Sequence, residues 1–330
     1  GTKGYGILKY NPRIEAFNFV KSNSVLWMST TPENNVIINN SKLFLMRNNT
    51  FSQSFEPDTA WFYNLSKEVN MAYADFAVCD NQHTTWLSRS NLYQVDASGK
   101  TTKFDSISNF FPLFTDKNSN VYFGTNTAFN KISKESGKLF TFPYPEMQPS
   151  GFTYKYLQAV HLDQQGIFWL GTTNGLFRFD EKHNQWKRYG NEPGNKNSLS
   201  ENVIFSICPD PLYPDQFLWI GTKGGGLNFF DKKSERFVSF KAPKQIPNNV
   251  IYGILPDRNK NLWLSSNKGI FKLKPDYSSF SNLENHQEHV GDITAFDEQD
   301  GLQSNEFNRN AFAATGNGWL FFGGVNGYNY

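Results

Sequence analysis

A short phrase recurs along this 330-residue chain: an aspartate, about six residues, an aromatic within an apolar run, a Gly or Ser, then an apolar pair. Its clearest copies are Asp163–Phe179, Asp210–Phe230 and Asp257–Leu273, with Trp169, Trp219 and Trp263 as their aromatics. Looser copies place Trp86, Tyr122 and Phe321 there, and Ile37 fills the position in the most degenerate copy, which no aspartate precedes. Recurrence at a period of about 20–50 residues means one supersecondary unit used repeatedly, and this restricts the fold before any single residue is interpreted.

Equivalent positions from Ile37 to Phe321 are separated by 49, 36, 47, 50, 44 and 58 residues. A constant phrase at variable spacing describes a fixed unit joined by loops of different length. Inside each unit the apolar residues alternate, as in Leu262-Trp263-Leu264-Ser265 and Gly269-Ile270-Phe271-Lys272-Leu273, with Gly, Asn and Lys between the two runs. That is strand periodicity with hairpin turns. Another apolar run precedes each phrase (Val203–Cys208 and Val250–Leu255, for example) and an aromatic-bearing run follows it (Trp186–Tyr189, Phe237–Phe240). Four short antiparallel strands per ~40–50 residues make a β-propeller blade. The expected fold is all-β: a seven-bladed β-propeller of four-stranded antiparallel blades. Residues 1–330 form a single domain on this reading. Gly1-Thr2-Lys3-Gly4 nearly repeats Gly221-Thr222-Lys223-Gly224, and Gly318–Tyr330 stops inside another copy. The chain therefore reads as a segment that begins and ends in mid-blade, its ring closed by one blade shared between N- and C-terminal segments. Gly4–Tyr10 and Gly327–Tyr330 both resemble a third strand, which leaves the division of that blade open.

Aromatics make up 17% of the residues, 32 of them Phe, and suit strands and the wedges between blades. A balance of 32 basic and 30 acidic residues without a basic block argues against nucleic acid as a partner. No apolar stretch approaches the ~18–20 residues of a membrane span. Cys79 and Cys208 occupy the same place in the repeat on non-adjacent blades, too far apart for a disulfide, and read as buried small hydrophobes.

The phrase Leu218-Trp219-Ile220-Gly221-Thr222, with Gly226-Leu227 after it, is followed by loops such as Asn197–Val203 and Ile246–Ile251. Together they resemble the two-component regulator propeller repeat. The tail Asp300-Gly301-Leu302-Gln303-Ser304-Asn305-Glu306-Phe307-Asn308, with Gly318–Gly327, is similar to the last blade of that family. The likeness is strong over 150–330, weaker over 60–135 and degenerate over 20–60. It implies the extracytoplasmic, periplasmic sensor half of a hybrid two-component histidine kinase, of the kind found in polysaccharide-degrading gut Bacteroidetes, with this segment as the second of two propellers. The implied partners are an oligosaccharide ligand, the adjacent propeller, a β-sandwich of the same chain and a second copy in a homodimer, with the membrane reached only through the parent chain.

The repeated aspartates (Asp80, Asp116, Asp163, Asp210, Asp257) precede turns, where Asp accepts hydrogen bonds from turn amides, so they are read as structural rather than catalytic. No paired carboxylates suited to glycoside hydrolysis stand out. His286, His289, Glu284, Glu288 and Asp292 lie in a polar insertion and lack a companion ligand motif. Neither catalysis, nor a metal, nor a cofactor is expected. Binding suits the fold better, because loops leading into the innermost strands converge on the channel mouth. The candidate ligand-binding residues there are Glu201, Asn202, Asn249, Asn305, Glu306 and Arg309, joined by the loop aromatics Trp61, Tyr63, Tyr73 and Tyr156. The expected function is a non-catalytic sensor propeller that binds an oligosaccharide or relays its binding to a kinase. The alternatives are a propeller glycoside hydrolase or lyase and a protein-interaction scaffold.

Overall fold

The computed structural model describes residues 17–49, 54–58, 74, 76–88, 91–104, 107, 111–145, 157–280 and 289–330. Seven four-stranded antiparallel sheets account for the strands among them. Blade 1 contains β2 (Trp27–Thr30), β3 (Val36–Asn39), β4 (Leu43–Asn49) and β5 (Ser54–Asp58). Blade 2 contains β6 (Phe76–Cys79), β7 (Thr85–Ser88), β8 (Leu92–Val95) and β9 (Thr101–Phe104). Blade 3 contains β10 (Phe111–Thr115), β11 (Val121–Gly124), β12 (Ala128–Ile132) and β13 (Leu139–Pro143). Blade 4 contains β14 (Leu157–Leu162), β15 (Ile167–Thr172), β16 (Gly175–Asp180) and β17 (Gln185–Tyr189). Blade 5 contains β18 (Ile204–Pro209), β19 (Phe217–Thr222), β20 (Leu227–Asp231) and β21 (Arg236–Phe240). Blade 6 contains β22 (Gly253–Pro256), β23 (Leu262–Ser265), β24 (Ile270–Pro275) and β25 (Gly291–Phe296).

Blade 7 closes the ring. Its first three strands, β26 (Phe307–Ala314), β27 (Leu320–Gly324) and β28 (Gly327–Asn329), come from the C-terminal part of the chain. Its outermost strand is β1 (Phe19–Lys21), paired with β28 through Phe19–Asn329 and Lys21–Gly327. The shared blade is thus divided three strands to one, and Gly327–Tyr330 carries the third; Gly4–Tyr10 lies outside the described residues. The first strands of successive blades touch all the way round: β2 meets β6, then β10, β14, β18, β22 and β26, which returns to β2. Helix among the described residues is limited to a turn at Tyr277–Phe280 and a 3-10 turn at Glu298–Asp300.

The core lies in the wedges between blades. In the wedge of blades 3 and 4, Phe168 packs 4.7 Å from Tyr122 and 5.1 Å from Phe129 (ring centroids). Trp219, Phe229 and Phe240 of blade 5 share a buried cluster with Ile251, Leu262 and Phe271 of blade 6. Removing each such side chain from water contributes about 1.5–3 kcal/mol, which is why the chain uses so many aromatics. The glycine of the recurring phrase serves the same packing: a Cβ at Gly221 would stand 2.8 Å from Ile251 of the next blade. The glycine of the following turn has a different reason, since Gly226 sits at φ +80° with its α-carbon against the Phe240 carbonyl.

Each repeated aspartate does more than make a turn. Asp80 Oδ1 accepts the N–H groups of Gln82 (2.8 Å) and Thr84 (3.0 Å), and Asp163 and Asp257 do the same two and four residues on. The other oxygen takes the indole N–H of the aromatic that defines the repeat: Trp86 at 3.2 Å, Trp169 at 2.9 Å, Trp219 at 2.8 Å and Trp263 at 3.0 Å. In blade 3 the Tyr122 hydroxyl donates to Asp116 at 3.2 Å. In blade 7, which lacks the aspartate, the Thr315 hydroxyl accepts the Trp319 N–H at 3.0 Å.

The following blade adds a third contact at this spot, from just beyond its third strand. Lys232 of blade 5 reaches Asp163 of blade 4 (3.3 Å) and lies over the Trp169 ring. The Tyr277 hydroxyl of blade 6 donates to Asp210 of blade 5 at 2.9 Å. Where the aromatic is Tyr122, the chemistry reverses: Glu181 of blade 4 shares the single O–H proton of Tyr122 with Asp116, each at 3.2 Å, and pairs with Lys131 (2.6 Å). Cys79 and Cys208 are free thiols beside these carboxylates, both pushed up to about 12 by burial first and by the nearby acids second. They are inert packing groups, as the sequence suggests.

Two predictions follow from these contacts. Asp210→Ala strands a buried indole N–H, two turn amides and the Tyr277 hydroxyl, so urea denaturation should show a loss of about 3 kcal/mol or more. An unchanged midpoint would contradict the role assigned to the carboxylate. Burial, with the Lys232 charge, holds the His161 imidazole down at about 4, well below its ordinary 6.5. The unfolded chain therefore binds the extra proton first, and stability should fall as the pH drops from 6.5 towards 4, by about 1–3 kcal/mol. Burial pushes the Asp163 carboxyl up, but the Trp169 indole, the Ile167 amide and Lys232 outweigh it and hold it below the ordinary carboxylate value of 3.8. Its contribution is present above that value and is lost only as the pH falls through the lowered one. His161→Phe should flatten the upper part of this pH profile in thermal melts.

Candidate functional site

The connections from the outermost strand of one blade to the innermost strand of the next cross one face of the ring. They are held by a repeated asparagine. The carbonyls of Asn202, Asn249 and Asn305 accept the N–H groups of Gly175 (2.8 Å), Gly226 (2.9 Å) and Gly269 (2.6 Å), glycines in the preceding blade's hairpin turn. Their Oδ1 atoms accept backbone N–H groups of Asn191 (2.8 Å), Ala242 (2.7 Å) and Glu298 (3.1 Å). Asparagine suits this post because its amide bonds locally to backbone without a charge to desolvate. Glu201 Oε1 accepts the Val203 N–H at 3.2 Å, the place that Asn248 takes at Val250 in the next connection. These four side chains are thus engaged in fixing the loops.

Directly after each connection the inner strand bulges. The register slips between Leu157 and Ala159 in β14 and between Ile204 and Ser206 in β18, which leaves Gln158 and Phe205 unpaired with the second strand. Tyr252 holds the equivalent place ahead of β22, its N–H bonded to the Ser265 carbonyl at 2.9 Å. Leu26, bonded through its N–H to the Asn39 carbonyl, holds it in blade 1 and is 55% exposed. Bulges re-aim side chains, and at the innermost strand they aim them toward the channel. The last blade carries an enlarged bulge, with the register of β26 broken between Phe307 and Phe312. Asn308 Nδ2 ties it to blade 1 through Ser24 Oγ (2.9 Å) and the Val25 carbonyl (2.8 Å).

From this enlarged bulge Arg309 extends its guanidinium to Gln158 Oε1 at 3.3 Å. Blades 7 and 4 are not neighbours, so this contact spans the opening of the channel. Beside it the Phe205 and Tyr252 rings stack at 5.6 Å with planes 25° apart. The Tyr252 hydroxyl is pushed up, first by burial and then by the Glu306 carboxylate, with Arg309 opposing, so both charged groups lie near it. Glu306 is itself exposed. Among the described residues the mouth therefore brings together the apolar surface of Leu26 and Tyr252, the latter backed by the buried Phe205 ring, with the Gln158 amide, the Glu306 carboxylate and the Arg309 guanidinium. Apolar surface carrying a few convergent polar groups is the usual make-up of a small-ligand site.

Of the residues singled out from sequence, Glu306 and Arg309 stand at this mouth; Glu201, Asn202, Asn249 and Asn305 stand in the loops behind it. Trp61, Tyr63, Tyr73 and Tyr156 lie outside the described residues, as do Glu284, His286 and Glu288. Among the described residues no group of three or more His, Cys, Asp and Glu side chains could hold a metal ion. Gln158, Phe205 and Tyr252 escape sequence reading because a bulge is a matter of strand register. A signal did exist: Phe205 and Tyr252 each follow the loop asparagine by three residues, where the apolar alternation of the strand has not begun. A second concavity, about 420 Å³, lies between the connections of blades 4 and 5 and is lined by Asn191, Glu192, Asn195, Ser198, Lys241 and Gln245 among others. Most of its polar side chains bond within their own loops, as Glu192 does with Asn195 and Gln245 with the Lys241 N–H.

The two groups of residues should respond differently to mutation. Asn249→Ala removes a partner from a backbone N–H and should lower stability by about 1 kcal/mol, read as a drop of a few degrees in Tm. Arg309→Gln, at an exposed side chain, should leave Tm within a degree or so of the parent. Equal effects would argue against the division.

The family model described as two component regulator propeller matches residues 245–268. A curated relative, histidine kinase P4 of Formosa agariphila, is 27% identical over 234 residues, which is 56% of this chain and 16% of that protein. Virginiamycin B lyase from Staphylococcus aureus superposes with a TM-score of 0.62 at 11% identity, covering 95% of this chain and 98% of the lyase, and shares the fold alone. The extracellular domain of the hybrid two component system BT4673 from B. thetaiotaomicron is 15% identical, with a TM-score of 0.44, over 91% of this chain and 44% of that one.

Proposed function

We propose that this chain, whose residues 245–268 match the two component regulator propeller model, is the non-catalytic, ligand-sensing ring of a hybrid two-component protein. The ligand on this reading is an oligosaccharide taken at the channel mouth. The observation that carries the proposal is the pairing, on the inner-strand bulges, of the stacked Phe205 and Tyr252 rings with the side chains of Gln158, Glu306 and Arg309. A pyranose presents apolar C–H faces and a rim of hydroxyls that both donate and accept. Aromatic rings answer the first, while an amide, a carboxylate and a guanidinium answer the second. The Asn202, Asn249 and Asn305 loops frame that site and set its rim. On this reading the ring belongs to the ectodomain of a longer, membrane-borne chain, in the periplasm, beside another propeller and a β-sandwich and within a homodimer; likeness to a histidine kinase over 16% of that protein's length supports it. Signalling then needs unequal ligand affinity for two arrangements of the assembly.

Catalysis would ask more of the mouth than it offers on this reading. Glycoside hydrolysis uses two carboxyl groups flanking the bond, whereas among the described residues Glu306 is the carboxylate whose charge acts on Tyr252, and Glu201 is bonded to the Val203 amide.

Isothermal titration calorimetry with a panel of oligosaccharides tests the proposal. At least one should bind without being consumed, and Tyr252→Ala should weaken it about tenfold, the equivalent of 1.4 kcal/mol for a lost stacking surface. Failure of every oligosaccharide to bind would sink the reading. Turnover of a glycan that disappears in Glu306→Gln would replace it with an enzyme.

A further inference from the structure

We propose that the channel mouth selects an acidic oligosaccharide, one carrying a carboxylate or sulfate group, and that Arg309 is the residue that reads the charge. This rests on the mouth being a sugar site, and adds the chemical class of the sugar.

The Arg309 guanidinium carries several N–H donors in a planar fork, and its described partner is a single neutral acceptor, Gln158 Oε1, at 3.3 Å. Among the described residues no carboxylate stands within ion-pair distance of it, Glu306, three residues away, included. Other basic side chains near the blade interfaces behave differently. Lys131, Lys187 and Lys232 each pair with an acid of another blade. Among the described residues Arg309 is therefore a cation without an ion-pair partner.

Its position is also constructed. A mobile surface arginine would sit on an ordinary hairpin, whereas this one rides on the enlarged bulge that interrupts β26. Asn308, the residue before it, is bonded twice to blade 1, which fixes the base of the side chain. The opposing amide then holds the head over the opening. Gln158 is itself a bulge residue, placed by the register slip in β14. A neutral amide is a weak partner for a guanidinium, and an anionic group presenting two oxygens satisfies the fork better, with a charge-assisted bidentate contact. Such a ligand would displace Gln158 from Arg309 and leave the amide free for a hydroxyl. The Phe205–Tyr252 pair lies alongside to receive the ring that bears the charge.

The test compares three probes of similar length by calorimetry: a galacturonate tetrasaccharide for the carboxylate, a sulfated galactan oligosaccharide for the sulfate, and a neutral galactan tetrasaccharide. One acidic probe should bind at least tenfold more tightly than the neutral one, and its affinity should fall as salt is raised from 50 to 500 mM, all orders of magnitude expected for one exposed charge pair. Arg309→Gln should remove that preference, and Arg309→Lys, with charge but no fork, should restore only part of it. Gln158→Glu gives Arg309 an internal carboxylate and should weaken the acidic probe more than the neutral one, narrowing the preference. Which acidic probe wins distinguishes carboxylate from sulfate. Neutral binding as tight as acidic binding, or a preference untouched by Arg309→Gln and Gln158→Glu, overturns the inference and leaves the sugar site standing. No binding by any of the three removes the site itself, and this inference with it.

Discussion

One carboxylate contact organises this ring. An aspartate at the turn between first and second strands closes the hairpin with one oxygen and fixes the indole of the second strand with the other, as Asp163 does with Ile167 and Trp169. That aromatic is also the surface against which the neighbouring blade packs, and the neighbour adds its own donor to the same group, Lys232 to Asp163 or Tyr277 to Asp210. A single side chain therefore couples local turn geometry, the orientation of a core aromatic and the seam between blades. Because each oxygen of a carboxylate can accept more than one hydrogen bond, no other small side chain can fill all three tasks. Blade 7 shows the cost of doing without it: the Thr315 hydroxyl closes the turn, and its aromatic, Phe321, has no polar handle to fix.

Much of this was legible in the chain. Period-two alternation in Leu262–Leu273 becomes the β23–β24 hairpin, and the expected sharing of one blade between the two ends appears as β1 paired with β28. Strand patterns transmit well because burial on a blade face follows directly from which residues are apolar. The indole–carboxylate bond was half visible, as an aspartate at fixed distance from an aromatic, yet sequence distance does not reveal which atoms meet. The mouth was less legible still. Gln158, Phe205 and Tyr252 gain their meaning from a one-residue slip in register, a property of pairing between strands rather than of composition. Asn202, Asn249 and Asn305 stood out because they repeat, and the structure finds each holding a loop to a glycine turn.

The two ends of a blade thus follow different rules. At the aspartate end the same contact is remade from blade to blade with small substitutions, Tyr122 with Glu181 in one seam and Trp169 with Lys232 in another. At the bulge end five blades contribute five different residues: Leu26, Gln158, Phe205, Tyr252 and Arg309. Repetition suits a seam, where every wedge meets the same packing problem. Variation suits a surface that must recognise one asymmetric molecule, since a ring of identical groups offers no way to orient it.

The wedges also limit how such a ring can signal. Parting blades 5 and 6 would expose Trp219, Phe229, Phe240, Ile251 and Leu262, all fully or almost fully buried. At about 1.5–3 kcal/mol for each side chain, that opening costs on the order of 10 kcal/mol. Coupling between a ligand site and a distant output is usually worth about 1–3 kcal/mol, too little to part a wedge. For the proposed sensor, then, the ring moves as a body, and the bulges at its mouth are the parts free to answer a ligand. Their side chains adjust over a rigid base, so the difference in affinity that signalling requires must arise where the ring meets another domain or a second copy, and not from blades sliding past one another.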